Sequence, residues 1–255
     1  MKGVILAAGR GARLNGGSPD MPKCLVPVGG STLLARNVQL LYAAGVEDVV
    51  VVVGCAADAV RRSSPGVTFV ENSIFARTNS LYSLWLARTL LTEGFVVMNC
   101  DVLVHPQLVS DLLSARYEDA LLLSYRDDDA VYGDEEMKVR VRRGRVVDIS
   151  KTLAPDDADG ENLGIAKFGP AGARVLVEEM DAVVAGGDLK AWAPRAFQRF
   201  AARRPLHVVG TRGLPWIEID FPDDYRRAVS EILPQIDSDA HFASAPARQP
   251  IARSA

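Results

Sequence analysis

Two short runs near the start of the chain gather groups that could bind a polyanion. Gly9-Arg10-Gly11-Ala12-Arg13 directly follows the apolar run Val4–Ala8, and Lys23 directly follows Pro22. Two glycines let successive backbone N–H groups point into one concavity, an anion nest. Arg10 and Arg13 add positive charge to it. Pro22 confines the residue before it to extended backbone, so Lys23 is expected to leave a defined loop. A nest, two arginines and a lysine suit a triphosphate; an ordinary strand–helix turn with surface arginines is the alternative. Two standard phosphate motifs do not fit. The dinucleotide fingerprint wants a third glycine where Leu14 stands and an acid where the second strand ends at Gly54, and a Walker loop wants lysine directly after its last glycine.

A second set of candidates is acidic. Asp101 follows the buried run FVVMNC, at the carboxyl end of a strand. Glu218 and Asp220 alternate on WIEID and share one face, with Ile217 and Ile219 on the other. A carboxylate at an apolar strand end is costly to bury unpaired. An N-cap role also suits Asp101, and a supporting, ion-paired role suits Glu218. Asp223 and Asp224 read as first-turn helix acids. Lysine is scarce: six of 29 basic residues are lysine, leaving 23 arginines. The two residues differ chemically, which makes each lysine more informative, and Lys23, Lys138 and Lys151 all lie beside turns or polar stretches. Asn79 and Ser80 open the helix after the third strand, where contact with a base or ribose and simple N-capping are equally suited. Tyr82, Trp85 and Phe95 read as core.

These groups need a scaffold. The 255 residues, 48% apolar, fit one large domain or two small ones. A net charge of -3 and a pI near 5.7 argue against a general nucleic-acid binder. Cys24, Cys55 and Cys100 form no CxxC pair, so neither a disulfide framework nor a zinc site is expected. VILAA is too short for a signal-peptide core and no run has transmembrane length, so a cytosolic globular protein is expected. Strands near 2–8, 46–54, 66–72, 94–104 and 119–126 alternate with helical patterns. This predicts an α/β three-layer sandwich with a mainly parallel sheet. The second half reads as a hairpin turning at Arg143-Gly144, a strand over 161–169, helices from Pro170 and over 190–203, a strand pair within 206–220 and a closing helix from Pro222. One domain is expected over 1–236, followed by a disordered tail over 237–255.

The stretch LAAGRGARL followed by PKCLVPVGGSTLL resembles the signature of the sugar-phosphate nucleotidyltransferase family. The resemblance continues in VVVVVG, NSLYSLWLA, MNCDVLV and PWIEIDFPDDYRRA and spans about residues 1–230. The later blocks are similar to the cholinephosphate cytidylyltransferase branch. The resemblance implies a Rossmann-like nucleotidyltransferase fold with a mainly parallel mixed sheet, nucleotide-binding to about residue 125 and acceptor-binding over about 126–236 with a small β-rich acceptor-side insertion. The reaction it implies joins an NTP, CTP favoured, to a small phosphate or phosphonate monoester with release of pyrophosphate. It implies that Leu6, Ala7, Ala8 and Gly9 contact the nucleotide, Gly11 and Arg13 hold phosphates, Lys23 steadies the α-phosphate and incoming oxygen, and Asp101 and Asp220 bind magnesium. Beside it, Lys138, Lys151, Glu136, Trp216 and Glu218 read as acceptor-side residues. Such catalysis is positioning plus electrostatics. Asp101 and Asp220 are then expected close together, each ending a strand of the same sheet.

For a cationic acceptor, Tyr125, Tyr132, Trp192 and Trp216 are available, with Asp127, Asp128 and Asp129 near. KAWAPRAF stands where the branch would place paired tyrosines, so a phosphonate, a cyclitol phosphate or a sugar 1-phosphate is equally open. A sugar-1-phosphate uridylyl-, guanylyl- or thymidylyltransferase and a non-catalytic regulatory subunit are the competing readings. A GT-A glycosyltransferase is disfavoured because its Asp-x-Asp pair reads Asp101-Val102-Leu103. The expected partners are the NTP and the acceptor, without nucleic acid or membrane; a homodimer is compatible.

Overall fold

The β-branched run Asp48–Val53 needs cover on both faces, and it finds it. The computed structural model describes residues 1–14, 21–126 and 132–238. The chain runs β1 (Lys2–Ala7), a ribbon of β2 (Pro27–Val28) and β3 (Ser31–Thr32), α1 (Leu33–Ala43), β4 (Asp48–Val53), α2 (Ala57–Ser63), β5 (Thr68–Glu71), α3 (Ser80–Leu86), β6 (Phe95–Asn99), β7 (Val102–Val104), α4 (Pro106–Ser114) and β8 (Ala120–Tyr125). It continues through β9 (Lys138–Arg142), β10 (Arg145–Ser150), β11 (Gly160–Phe168), α5 (Pro170–Ala185), α6 (Ala193–Ala201), β12 (His207–Gly210), β13 (Trp216–Glu218), α7 (Pro222–Arg227), a π-helical turn and α8 (Leu233–Ser238).

Nine strands form one mixed sheet in the order β5-β4-β1-β6-β11-β8-β12-β10-β9. The first four are parallel. β11 runs antiparallel between β6 and β8, and β12 returns parallel to β8. Parallel pairing is thus confined to β5, β4, β1 and β6 and to the β8–β12 pair. The β9–β10 hairpin extends the same sheet, and its turn residues Arg143 and Gly144 have φ of 51° and 73°, the left-handed pair that matches strand twist in a two-residue turn.

Alternation along β1 sends Val4 and Leu6 into one core and Ile5 and Ala7 into the other. The first core packs under α3, α5 and α6 and the second under α1, α2 and α4, giving three layers. Thr32 caps α1 by accepting from the Ala35 N–H at 3.2 Å.

Three expectations change. The run 95–104 is two strands: after Asn99 the chain turns at Cys100 and Asp101, and β7 leaves the main sheet to pair antiparallel with β13. Leu103, Ile217 and Ile219 bury there against Val26, Val28, Leu33 and the C-terminal helices, a third apolar cluster that the main sheet does not cover. β12 and β13 therefore do not pair with each other. The last helix runs through Asp237 and Ser238, two residues past the expected limit; the rest of the expected tail, and Asp127 to Asp129, lie outside the described residues. Among the described residues no helix is long and apolar enough to cross a membrane.

Candidate active site

The turn after β6 is tied to the end of β1, where the Cys100 N–H donates to the Leu6 carbonyl at 3.2 Å. The loop after β1 carries Gly9 to Arg13. A Cβ at Gly9 would meet nothing within 4 Å. Gly11 is different: its φ is +63°, and a Cβ there would stand 2.7 Å from the Lys23 Cβ. The glycine loop therefore packs directly on the lysine. Lys23 opens a single 3-10 turn, Lys23–Leu25, behind an extended Pro22 (φ -66°, ψ 143°).

Lys23 is only 7% exposed. Its Nζ donates to Asp101 Oδ2 at 2.7 Å and also to Asp220 Oδ1. Burial works against the Lys23 charge, but the two carboxylates outweigh it and hold its pKa above the ordinary lysine range. The lysine is thus a cation fixed between two acids far apart in sequence.

The backbone explains how those acids meet. Asn37 Nδ2, on α1, donates to the Cys100 carbonyl at 3.1 Å and fixes the turn before Asp101. The Ile219 N–H donates to the Asp101 carbonyl at 3.0 Å, stitching the end of β13 to that turn. Asp224 Oδ2 then accepts from the N–H groups of Asp220 (3.0 Å) and Phe221 (2.8 Å), setting the chain as it enters α7. Asp101 follows a strand of the main sheet, whereas Asp220 follows the β7–β13 ribbon; the two acids do not end strands of one sheet.

Asp101, Glu218 and Asp220 each offer a carboxylate oxygen, and these oxygens lie within 4.8 Å of one another. Burial first, then the charges of Asp101 and Asp220, push the Glu218 carboxyl up to about 8. Asp101 Oδ1 is buried without a hydrogen-bond partner. A buried, unsatisfied carboxylate oxygen in an all-oxygen donor set fits a hard divalent cation.

Arg13 closes the near side. Its guanidinium donates to Asp220 Oδ2 at 2.7 Å and to Glu135 Oε2 at 3.0 Å, and it lies over the Phe221 ring at 4.8 Å. Lys151 reaches the same Glu135 oxygen at 3.2 Å and lies 4.7 Å from the centre of the Trp192 ring.

Of the residues expected at the site, Arg13, Lys23, Asp101, Glu218 and Asp220 converge, and Lys151 joins them through Glu135. Lys138 and Glu136 are tied instead to the Gly133 turn: Lys138 Nζ donates to the Gly133 carbonyl at 2.5 Å, and Glu136 Oε2 accepts its N–H at 2.8 Å. Trp216 packs on the core cluster under α1 and α4. Leu6 and Ala7 bury their side chains in the two cores, and Ala8 is buried too, which leaves their backbone for any ligand contact. Arg10 stands over the Phe75 ring at 5.3 Å. Asn79 caps α3, accepting from the Ser80 N–H at 2.8 Å, and Ser80 Oγ accepts from the Ala193 N–H at 2.8 Å; both have structural uses.

Two acids escaped the sequence reading. Glu135 sits beside the chosen Glu136 in an acidic run. Glu161 opens the polar end of β11, opposite Lys138; burial and the Glu136 carboxylate push its carboxyl up to about 7 against the pull of Lys151 and Lys138. An acid at the head of a mostly apolar strand was the available signal.

A glycine loop at the carboxyl ends of parallel strands, beside a buried lysine held by two acids, has the shape and charge that suit a polyphosphate. Residues 3–202 match the MobA-like NTP transferase domain, and the chain belongs to that family. It is 32% identical over 238 residues to the bifunctional IPC transferase and DIPP synthase of Rubrobacter xylanophilus, covering 90% of this chain and 51% of that protein. It is 30% identical over 251 residues to the CMP-5'-(3-aminopropyl)phosphonate synthase of Streptomyces rubellomurinus, covering 89% of this chain and 38% of that protein. The chain thus spans about half the length of the first relative and less of the second. The solved CTP:phosphocholine cytidylyltransferase of Streptococcus pneumoniae superposes with a TM-score of 0.73 at 26% identity, covering 89% of this chain and 96% of the other. The expected fold and the resemblance to the cholinephosphate branch are borne out.

Proposed function

We propose that the chain is a magnesium-assisted cytidylyltransferase, joining CTP to a small phosphate or phosphonate monoester and releasing pyrophosphate. The observation that carries this reading is Lys23, fixed between Asp101 and Asp220 directly behind the Gly9–Arg13 loop. The acceptor's phosphate oxygen attacks the α-phosphorus in line. The barrier is the approach of two anions, so fixed positive charge is what the site must provide. Lys23 and Arg13 supply it, and the Gly9–Arg13 backbone cradles the phosphates. Asp101 and Asp220, with Glu218 beside them, would hold the magnesium, which when bound neutralises charge building at the α-phosphate.

CTP is favoured by the relatives, one named for a CMP-linked product and one for its use of CTP. An acceptor bearing an ammonium group is favoured by Glu161, a partly buried acid on β11, opposite Lys138, that feels the charge of Glu136. A CTP-consuming reaction supports a cytoplasmic location.

The test is pyrophosphate release with CTP, UTP, GTP, ATP and TTP against phosphocholine, 2-aminoethylphosphonate, inositol 1-phosphate and glucose 1-phosphate, with and without magnesium. CTP with an amine-bearing acceptor should turn over best, and only with the metal. A preference for UTP or TTP with glucose 1-phosphate would reassign the chain to the sugar-nucleotide enzymes. No release with any pair would leave it a nucleotide-binding subunit.

A further inference from the structure

Arg13 and Lys151 come from different parts of the fold, the loop after β1 and the turn after β10, yet one carboxylate oxygen holds them both. Glu135 Oε2 accepts from Arg13 at 3.0 Å and from Lys151 at 3.2 Å. These two cations hold the Glu135 carboxyl below its usual range. An oxygen between a guanidinium and an ammonium is the position a phosphate oxygen would take.

The cations do not depend on Glu135 for their places. Arg13 keeps Asp220 at 2.7 Å on its other nitrogen and the Phe221 ring beneath it. Lys151 keeps the Trp192 ring. A cation over an aromatic face is held by the ring quadrupole. Glu135 itself is more than half exposed and lies in the irregular segment before β9, so moving it costs little core packing.

We propose that the Glu135 carboxylate is an internal stand-in for a substrate phosphate, which occupies the anion position between Arg13 and Lys151 and must leave it before the substrate's phosphate enters. Resting on the nucleotidyltransferase reading, this makes Glu135 a determinant of anion affinity: it competes with phosphate and keeps unrelated anions off the two cations.

The test is calorimetric titration of the metal-free full chain with pyrophosphate, comparing the wild type with Glu135→Gln, Glu135→Ala and Glu135→Gln/Lys151→Gln. Exposed ion pairs are individually weak, so the two single variants should bind pyrophosphate roughly three- to tenfold tighter than the wild type. The gain should vanish in the double variant and shrink at high salt. Equal or weaker binding in both single variants would overturn the proposal and make Glu135 a support for the cations. Failure of every variant to bind pyrophosphate would overturn it too. Failure of the cytidylyltransferase reading would show separately, as no pyrophosphate release from any substrate pair, and leaves the binding comparison legible.

Discussion

Gly11 packs on Lys23 so closely that a Cβ at residue 11 would stand 2.7 Å from the Lys23 Cβ and 3.1 Å from its Cα. The loop and the lysine are therefore one unit, and the loop's shape fixes where the ammonium sits. Gly11→Ala adds a strained φ of +63° to this clash. It should cut kcat/KM by roughly 10²-fold, since a misplacement of about 1 Å in a preorganised site has that effect. The melting temperature should fall by only a few degrees. Gly9→Ala, with nothing within 4 Å of its Cβ, should fold as stably as the wild type. If Gly11→Ala keeps full activity, the loop does not set the lysine's position.

Lys23→Met removes the cation between Asp101 and Asp220. A loss of roughly 10²–10³ in kcat/KM, about 3–4 kcal/mol of transition-state stabilisation, is expected. The lysine is buried, not a free loop residue, so stability should suffer as well. Two facing carboxylates without a cation repel each other. The variant's melting temperature should be low without magnesium and recover in part when magnesium is added. Near-normal turnover, or a melting temperature indifferent to the metal, would show the charge to be misassigned.

The site was legible where its groups are local in sequence. Gly9, Gly11 and Lys23 lie within fifteen residues and carry their own loop chemistry. Glu218 and Asp220 were placed on one face by the two-residue period of a strand. The β7–β13 ribbon was not legible, because 95–104 is apolar on both sides of Cys100 and nothing in that pattern says where one sheet is left for another. Only the burial of Leu103 and Ile217 beneath the C-terminal helices decides it. Glu135 was missed for a related reason. It pairs with Arg13 across 122 positions, and its neighbours Asp134 and Glu136 are equally acidic, so composition could not single it out.

Asp224 should act on the proposed magnesium site without touching it. Its Oδ2 accepts from the Asp220 and Phe221 N–H groups, an N-terminal cap worth about 1 kcal/mol. Asp224→Ala should lower the melting temperature by a few degrees. It should also raise the magnesium concentration for half-maximal rate several-fold, because Asp220 is no longer held. Asp224→Asn keeps an acceptor oxygen and should restore both. If the alanine variant loses stability but keeps its magnesium dependence, Asp224 is a helix cap and nothing more.

Glu161 gives the chain a pH signature. Its carboxyl is pushed up to about 7, first by burial and then by Glu136. The folded chain thus holds this proton more tightly than the unfolded one. For a carboxyl raised on folding, the contribution to stability is fully present below about pH 4, the ordinary glutamate value, and is lost as pH rises through about 7. Glu161→Gln stays neutral throughout. Its melting temperature should track the wild type near pH 5 and exceed it at pH 8, with the gap opening between those values. An ammonium-bearing acceptor should reverse the order at pH 8, since it binds the ionised carboxylate and stabilises the wild type by mass action. The glutamine variant should then show a raised KM for that acceptor and an unchanged KM for CTP. Parallel melting curves from pH 5 to pH 8 would place the Glu161 carboxyl in the ordinary range. A gap that opens on schedule, with no change in acceptor KM, would remove Glu161 from the acceptor site while keeping it as a buried acid.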